Sequence, residues 1–383
     1  MVTELKLAFL TCNKTEEIAA CISILSPYFE RMNADVIVKD AIDLLPPQSS
    51  ESFIRFFAQY AIQARRPFSF LNAYDSFSIK NKAKFPVYSA NRLYIQQLRS
   101  YLEEEKIDVV ICFQVYQVQA VSFIKEKYGN NVKLAMVVPN YECPKWIEET
   151  NPDTIFVPHE DYLIQLTQRG CNPDKIVLSG IPVADKFHYS VSKEDARNSL
   201  DLPVDVPCFL VSNGGDGFGD DPILLIRKII ERAKGIDMRI VVMTGRNSAL
   251  ADSIRSRFTA DPRVSPVPFS DQYTKYMDAC DVLMIRPDPY LMTEAAIKGI
   301  PFVCSAPNTE QETKALSFFA GHDLCTMPLS FENTIDEVIE LAKNEKLHDE
   351  RFLALRRNIP HKAADKICSA VREMMQTADH IIG

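Results

Sequence analysis

Residues 276–301 have the sequence YMDACDVLMIRPDPYLMTEAAIKGIP. The uncharged run 282–285 predicts a short buried strand, and two prolines follow it in the turn Arg286-Pro287-Asp288-Pro289. Proline fixes φ and is well accepted in the first turn of a helix, so the turn predicts a rigid corner and a helix start. Strand, turn and helix in this order form the repeating unit of a parallel sheet covered by helices.

The same unit recurs on both sides of this stretch. Strand-like runs occupy residues 5–11, 34–39, 108–113, 133–138 and 154–158, and then 208–212, 239–244, 264–266, 282–285 and 302–304, with helix-period segments between them. A chain of 383 residues, 46% of them hydrophobic, is also too long for one such core. We therefore predict an α/β protein of two doubly wound, Rossmann-like domains.

The stretch 180–190, GIPVADKFHYS, separates the two series of strands, since it contains Gly and Pro and then loses apolar periodicity. The predicted domains are 1–185 and 186–361, and the helical segment 362–383 is expected to pack back on the first domain. Ligands of open α/β sheets bind beyond the carboxyl ends of the strands. Two such domains facing each other across a cleft suit a two-substrate transfer.

Composition excludes several classes of protein. The net charge of -8 argues against a general nucleic-acid binder, which needs an excess of cations. Ten scattered cysteines without CxxC pairs or zinc-ligand spacing predict free thiols and no structural metal. The first residues lack a cleavage-site pattern, and the uncharged stretch 109–124 is short and polar, so we expect a cytoplasmic protein.

A glycine-rich segment, SNGGDGFG at 212–219, lies between a predicted strand and a helix. Its backbone amides predict a ligand loop for a phosphate, although a plain flexible turn explains the glycines equally well. The acidic residues of this loop leave a divalent metal open as a cofactor. The candidate ligand-loop residues are Asn213, Gly214, Gly215 and Gly217.

Thr293 and Glu294 are predicted to lie in the first turns of the helix that follows residues 282–285. A carboxylate there accepts hydrogen bonds from two neighbouring ribose hydroxyls, which would be recognition of a nucleoside. The alternative is that Glu294 merely complements the helix dipole.

Five segments resemble, in order and spacing, the diacylglycerol glycosyltransferases. They are KIVLSGIPVADKF (175–187), VVMTGRNSAL (241–250), YMDACDVLMIRP (276–287), TEAAIKGIP (293–301) and QETKALSFF (311–319). That family includes processive diacylglycerol glucosyltransferases and monogalactosyldiacylglycerol synthase, and is related to the peptidoglycan UDP-N-acetylglucosamine transferase. The resemblance, strongest over residues 139–343, implies the GT-B fold, a UDP-sugar donor and no obligatory cofactor.

The resemblance also implies roles for single residues. Glu294 matches the glutamate that holds the ribose, with Thr293 beside it. Gln311 and Glu312 match the pair that meets the donor sugar. Gly245 and Asn247 match a turn beside the nucleotide pocket, and the loop 213–219 matches the family loop near the donor phosphates.

Two departures from the family pattern bear on catalysis. The segment LTCNKTEEI at 10–18 lacks the glycines and the histidine that family members carry after the first strand, which leaves Glu16 or Glu17 as the candidate catalytic base. Arg286-Pro287-Asp288-Pro289 replaces a Lys-Pro-Gly-Gly turn, so a charged side chain stands where the family backbone approaches the diphosphate. We include Arg286 among the donor-binding candidates.

Residues 51–100 carry eight basic and two acidic side chains among many aromatic rings. This mixture is typical of a surface that docks on anionic lipid, which predicts a peripheral membrane protein with a lipid acceptor. The other interpretations are a domain core under an ordinary charged face and a single-stranded nucleic-acid surface, against which the net charge argues. The acceptor or membrane candidates are Arg65, Arg66, Phe68, Phe70 and Trp146, the last also interpretable as core.

Three hypotheses for function follow. The first is a glycosyltransferase that moves a sugar from a UDP-sugar to a lipid or other hydrophobic acceptor. The second is a catalytically silent GT-B protein that binds or regulates a partner. The third is an enzyme like UDP-sugar 2-epimerase, which acts on the sugar nucleotide alone.

Overall fold

The structure is a computed structural model, and it describes residues 5–12, 14–45, 94–212 and 222–379. The chain divides into two compact units. Unit 1 comprises Met1–Pro182 and Lys362–Gly383, and unit 2 comprises Val183–His361. This division lies close to the boundary predicted at residue 185.

Unit 1 contains a parallel sheet of six strands: β1 (Leu5–Thr11), β2 (Ala34–Asp40), β3 (Val109–Cys112), β4 (Lys133–Val137), β5 (Thr154–Val157) and β6 (Ile176–Leu178). The strand order is β2-β1-β3-β4-β5-β6. Strands β3 and β5 are buried along their whole length, as expected when helices cover both faces of a parallel sheet. Before the C-terminal segment, the helices in the described part of this unit are α1 (Glu16–Glu30), α2 (Ile95–Glu104), α3 (Val115–Tyr128) and α4 (Glu160–Gln168).

Unit 2 contains a parallel sheet of five strands: β7 (Cys208–Ser212), β8 (Arg239–Gly245), β9 (Val264–Pro268), β10 (Val282–Ile285) and β11 (Phe302–Cys304). The strand order is β11-β10-β7-β8-β9. From β7 the chain adds β8 and β9 on one side of the sheet and then β10 and β11 on the other side, so the order of addition switches sides between β7 and β10. The helices are α5 (Lys193–Ser199), α6 (Pro222–Arg232), α7 (Ser248–Arg257), α8 (Tyr273–Ala279), α9 (Pro289–Lys298), α10 (Glu310–Gly321), α11 (Phe331–Lys343) and α12 (Glu345–Asn358).

The last helix, α13 (Ala363–Asp379), belongs to unit 1 and packs against α1. Its apolar side includes Ile367 and Val371, both fully buried. Burial of such a stripe, at a spacing of four residues, is the main source of stability for a helix on a protein surface.

All ten predicted strands are present, and their ends lie within two residues of the prediction. Strand β6 was missed, because it is a three-residue edge strand whose last residue is exposed. A run this short has too few positions to establish an alternating pattern.

Two buried cations hold the start of unit 2 together. Lys298 Nζ, with a fully buried side chain, lies 2.8 Å from Asp278 Oδ1 and donates to the Tyr189 carbonyl at 2.8 Å. Arg197 donates to Asp281 Oδ2 at 2.7 Å and to the Ala279 carbonyl at 2.8 Å. Because an unpaired buried charge is costly, these contacts fix the segment that opens the unit to the sheet behind it.

All ten cysteines are free, and all but Cys143 and Cys171 are buried. The Sγ atoms of Cys208 and Cys280 lie 3.4 Å apart in the core of unit 2. Among the described residues, no helix is both long and apolar enough to cross a membrane.

Candidate functional site

The carboxyl ends of β7 and β10 form the switch point of the unit 2 sheet, where the helices that follow neighbouring strands lie on opposite faces. Ser212 ends β7, and Arg286 follows directly after β10. Open α/β sheets bind their ligands at such a point because the chain leaves a crevice there.

Glu294 lies in the second turn of α9 and is half-buried. Loss of hydration raises the pKa of its carboxyl from the ordinary 4.5 to about 8, with Asp288 adding to the rise and Lys186 opposing it. A carboxyl in this state is protonated at neutral pH. A ligand that offers hydroxyl groups would supply hydrogen bonds that hydration no longer provides.

Tyr273, at the start of α8, lies beside Glu294. Burial above all, and next the Glu294 carboxylate in its ionised form, raise the pKa of the Tyr273 hydroxyl, which shares a hydrogen bond with Ser212. The Phe187 ring meets the Tyr273 ring edge-on at 6.3 Å. Ser212, Tyr273 and Glu294, with the exposed Lys186, thus form a polar cluster over an aromatic wall.

In the turn after β10, the side chain of Asp288 binds the backbone amides at the start of the next helix. Asp288 is the N-cap of α9, and its Oδ1 accepts from the amides of Tyr290 at 2.9 Å and Leu291 at 3.1 Å. These amides are the ones that a helix N-terminus would otherwise offer to an anion. The aspartate that departs from the family pattern therefore occupies the anion position itself.

Glu312, in the first turn of α10, holds the side chain of Arg286 by an ion pair. Oε1 of Glu312 lies 2.6 Å from Arg286 Nε, and the exposed fractions of the two side chains are 3% and 34%. Oε2 accepts from the amides of Asn308 at 2.6 Å and Thr309 at 3.2 Å, which completes a capping box. Both carboxylate oxygens of Glu312 are engaged within the protein, and the partly exposed guanidinium of Arg286 is the group presented outward. Gln311, next to Glu312, is half-buried in the first turn of α10.

Thr293 is fully buried, and its Oγ1 donates to the Pro289 carbonyl at 2.5 Å. This hydrogen bond, back to the preceding turn of α9, is the usual one for a helical threonine. Its position next to Glu294 is as the sequence predicted.

The predicted turn after β8 has the geometry that its glycine suggests. Gly245 has φ 55°, a value that favours glycine, and Asn247 caps α7 by accepting from the Leu250 amide at 3.0 Å. The Phe269 amide donates to the Gly245 carbonyl at 2.8 Å. The Phe269 ring, 60% exposed, lies 5.4 Å from the Arg246 guanidinium. This turn therefore presents an open aromatic surface at the carboxyl edge of the sheet.

Unit 1 has a pocket of about 220 Å³ beyond the carboxyl ends of β3 and β4. Its apolar wall includes Phe113, Met136 and Trp146, and its polar groups include Gln114, Asn140, Glu142 and Lys145. Trp146 is 5% exposed, so it is both a core residue and a wall of this pocket. The two interpretations of the tryptophan made from sequence are therefore compatible.

Glu16 and Glu17, the predicted bases, form the first turn of α1, where Thr15 caps the helix. Glu16 is exposed and Glu17 is half-buried, and neither lines the unit 1 pocket. The predictions for Arg65, Arg66, Phe68 and Phe70, and those for Asn213, Gly214, Gly215 and Gly217, lie outside the described residues.

Comparison with known proteins connects these features. The chain aligns with Acinetobacter baumannii MurG at a TM-score of 0.61 and 13% identity, covering 96% of this chain and 99% of that one. The fold is GT-B. A co-structure of Staphylococcus aureus MnaA with UDP aligns at a TM-score of 0.57 and 14% identity, over 97% of both chains. Likenesses at these identities establish the GT-B fold alone.

Sequence comparison concerns the family. The family model of monogalactosyldiacylglycerol (MGDG) synthase matches residues 19–183. A processive diacylglycerol beta-glucosyltransferase of Staphylococcus epidermidis is 24% identical over 267 residues, which are 70% of this chain and 66% of that protein. The resemblance to the diacylglycerol glycosyltransferases is therefore confirmed. The family match lies in unit 1, where we expected the weaker likeness.

Several residues of the GT-B site were missed from sequence. Lys186 was seen only as part of a family segment, and Tyr273 and Phe269 were not singled out. Phe269 carried one usable signal, since it is an aromatic residue three residues after the predicted strand 264–266 of a parallel sheet. Lys186 and Glu294 lie 108 residues apart in the chain, and Tyr273 and Ser212 lie 61 apart, so no local pattern reports these contacts.

Proposed function

We propose that this protein is a glycosyltransferase that moves a sugar from a UDP-sugar to a hydroxyl group of a lipid or similar hydrophobic acceptor. The observation that carries the proposal is the half-buried carboxyl of Glu294 at the switch point of the unit 2 sheet. Burial disfavours its charge, so the position is costly for folding, and two ribose hydroxyls would recover that cost. The named functions of the MGDG synthase family and of the Staphylococcus epidermidis relative support the reaction class.

For the donor, Glu294 accepts from the ribose hydroxyls and Tyr273 borders the ribose. Phe269 offers its exposed ring to the uracil, since aromatic faces stack on bases. Arg286, positioned by Glu312, meets the diphosphate, and Gln311 meets the sugar. Gly245 and Asn247 shape the turn beneath the base, while Thr293 supports the helix that carries Glu294.

For the acceptor, the unit 1 pocket offers apolar walls with a few polar groups, the usual make-up of a small-molecule site. A glyceryl or other alcohol with an apolar tail fits that chemistry. Because the acceptor is amphipathic, we propose that the protein works at the cytoplasmic face of an anionic membrane. The basic and aromatic stretch 51–100 is the proposed contact, and no obligatory cofactor is part of the proposal.

The test begins with calorimetric titration of UDP-glucose, UDP-galactose and UDP-N-acetylglucosamine. We expect micromolar binding of one donor, weakened at least about 100-fold by Glu294→Ala through loss of hydrogen bonds to a buried site. Phe269→Ala should weaken binding by about tenfold, through loss of one stacking contact. Lys346→Ala, at an exposed helix position remote in sequence from these strand ends, is the matched control and should bind as the parent does.

Protonation gives a second and sharper measurement. Ribose hydroxyls that donate to Glu294 favour its ionised form, so binding at neutral pH should release a proton from the carboxyl whose pKa is about 8. Titrations of the sugar nucleotide in buffers of different ionisation enthalpy measure that proton. Glu294→Gln should abolish the release. Absence of binding by every donor refutes the proposal, and conversion of the donor without an acceptor would indicate an epimerase.

One observation favours a second candidate, a catalytically silent GT-B protein that binds a partner. Asp288 occupies the amides that would meet a diphosphate, and it adds a negative charge there. Under this hypothesis the parent binds no sugar nucleotide, whereas Asp288→Gly frees the helix N-terminus and produces binding. Donor transfer to a diacylglycerol in detergent micelles by the parent protein would exclude it.

A further inference from the structure

The proposed reaction needs a base that the sequence did not identify. The acceptor hydroxyl must lose its proton as its oxygen attacks the sugar, and a general base must lie within hydrogen-bond reach of it. Glu16 and Glu17 stand at the start of α1, complement the helix dipole, and are not among the residues that line the pocket. The base should instead be sought among the groups that line the unit 1 pocket.

Glu142 is the one acidic residue among those that line this pocket in the described part of the chain. It follows β4, is half-buried, and shares the lining with the apolar side chains of Met136 and Trp146. Lys145, three residues further on, lines the same pocket and provides a positive charge. A carboxylate beside an apolar wall is placed to meet the hydroxyl of an amphipathic alcohol whose tail contacts that wall.

Trp146, four residues after Glu142, has an unusual backbone conformation. Trp146 has φ 59°, in the left-handed region that a bulky residue rarely occupies. Such a residue costs on the order of 1–2 kcal/mol, so the surrounding packing must hold it there. Trp146 is buried, and its carbonyl accepts from the Glu149 amide at 3.1 Å. Trp146 is therefore a fixed point at one end of the segment 140–146, which carries Glu142 along the pocket.

Neighbouring ionisable groups are poorly suited to accept the proton. Burial raises the pKa of the Cys143 thiol to about 11 and that of Cys12 to about 12, and it also raises the pKa of Tyr162. These groups keep their own protons at neutral pH. The Tyr116 hydroxyl donates to the Cys12 carbonyl at 3.3 Å, so its proton is also in use.

We propose that Glu142 is the catalytic base of the transfer, an assignment that rests on the proposed function. The acceptor O–H bond breaks, and its proton goes to a carboxylate oxygen of Glu142. The oxygen lone pair forms the new bond to the anomeric carbon, while the bond from that carbon to the phosphate oxygen breaks. The leaving electron pair departs with UDP, so no oxidant or further reactant is required.

The experiment compares Glu142→Gln and Glu142→Ala with Glu104→Gln, an exposed acid on α2 as the matched control. Transfer is measured from the donor found by titration to a short-chain diacylglycerol in detergent micelles. We expect Glu142→Gln to lower kcat by about 100-fold to 10,000-fold, the usual share of a general base. UDP affinity should stay within twofold, because the proposed donor residues belong to unit 2.

Azide separates a base from a structural residue. Azide attacks the sugar without losing a proton and therefore needs no base. The Glu142→Ala variant supplied with azide should form the glycosyl azide, while its rate of sugar transfer to the alcohol stays low. A kcat of Glu142→Gln within fivefold of the parent overturns the assignment and leaves the proposed function standing. Loss of sugar transfer to both the alcohol and azide, with UDP binding intact, also overturns the assignment. If the parent binds no donor, the proposed function fails and the assignment fails with it.

Discussion

Replacing Glu294 by glutamine should stabilise the protein, and the gain should grow as the pH rises. Burial keeps the folded carboxyl protonated up to about pH 8, whereas an unfolded chain releases that proton near the ordinary pKa of 4.5. Between these values the unfolded state binds fewer protons than the folded state, so the free energy of unfolding of the parent falls with increasing pH. Glutamine keeps the shape of the carboxyl and has no proton to lose.

The magnitude follows from the two pKa values. About 1.4 kcal/mol for each unit between 4.5 and about 8 sets an upper limit of roughly 5 kcal/mol at alkaline pH. Glu294 is only half-buried, and water screens part of the effect, so we expect about 2 kcal/mol at pH 8. Near pH 4.5 the two proteins should differ by only a few tenths of a kcal/mol.

Thermal unfolding of both proteins from pH 5 to pH 9, without ligand, is the assay. A gain of about 2 kcal/mol corresponds to a rise in Tm of roughly 4–8 °C for a unit of this size. Glu104→Gln, an exposed carboxyl on α2, serves as the control and should show no trend. A difference between Glu294→Gln and the parent that stays constant over this range would refute the argument that burial perturbs this carboxyl.

Two further substitutions test the packing behind the site. Gly299→Ala should lower the free energy of unfolding by about 2–4 kcal/mol, because φ is 76° and a Cβ would lie 2.8 Å from the Phe352 ring. Gly129→Ala, at φ 67° in open space, should lower it by only about 1 kcal/mol. Equal losses in urea unfolding would contradict the predicted clash with Phe352. Lys298→Met should destabilise unit 2 by about 3–5 kcal/mol, since it leaves the Asp278 carboxylate buried without its cation. Recovery of stability on adding Asp278→Leu to that variant is the expected check, and no recovery would mean that the lysine acts through other contacts.

The sequence predicted most of the fold because the local signals agreed. Around residues 282–299, the apolar run and the prolines predicted a strand, a rigid turn and a helix start, and the structure has β10 followed by α9 with Pro289 in its first turn. The N-cap Asp288 and the C-cap Gly299, found in the structure, agree with that pattern. Agreement between pattern and capping residues is what makes such a segment predictable. Strand β6 has only three residues, too few to show a hydrophobic pattern, and no capping residue marks its ends, so it was missed.

The site was less predictable, because its geometry depends on contacts distant in sequence. The position of Glu294 followed from the helix start, but its pKa depends on packing and on Lys186, about 100 residues earlier. Glu312 was expected to meet the donor sugar. Its bonds to the amides of Asn308 and Thr309 are a local capping box, whereas its ion pair with Arg286 appears only once the turn after β10 lies against the start of α10. Sequence pattern indicates which element carries a residue and not which distant residue neutralises its charge.

The buried thiols give each unit its own internal reporter. Cys112 lies inside the unit 1 sheet and Cys208 inside the unit 2 sheet, both shielded from solvent, and burial raises the pKa of Cys112. An alkylating reagent can reach either sulfur only when the surrounding sheet opens, so labelling rates in native buffer measure the opening free energy at that place. Mass spectrometry of the labelled peptides would thus follow the two units separately in one sample, without denaturant or an introduced probe. Binding of a donor to unit 2 should then slow the labelling of Cys208 and leave that of Cys112 as the internal standard.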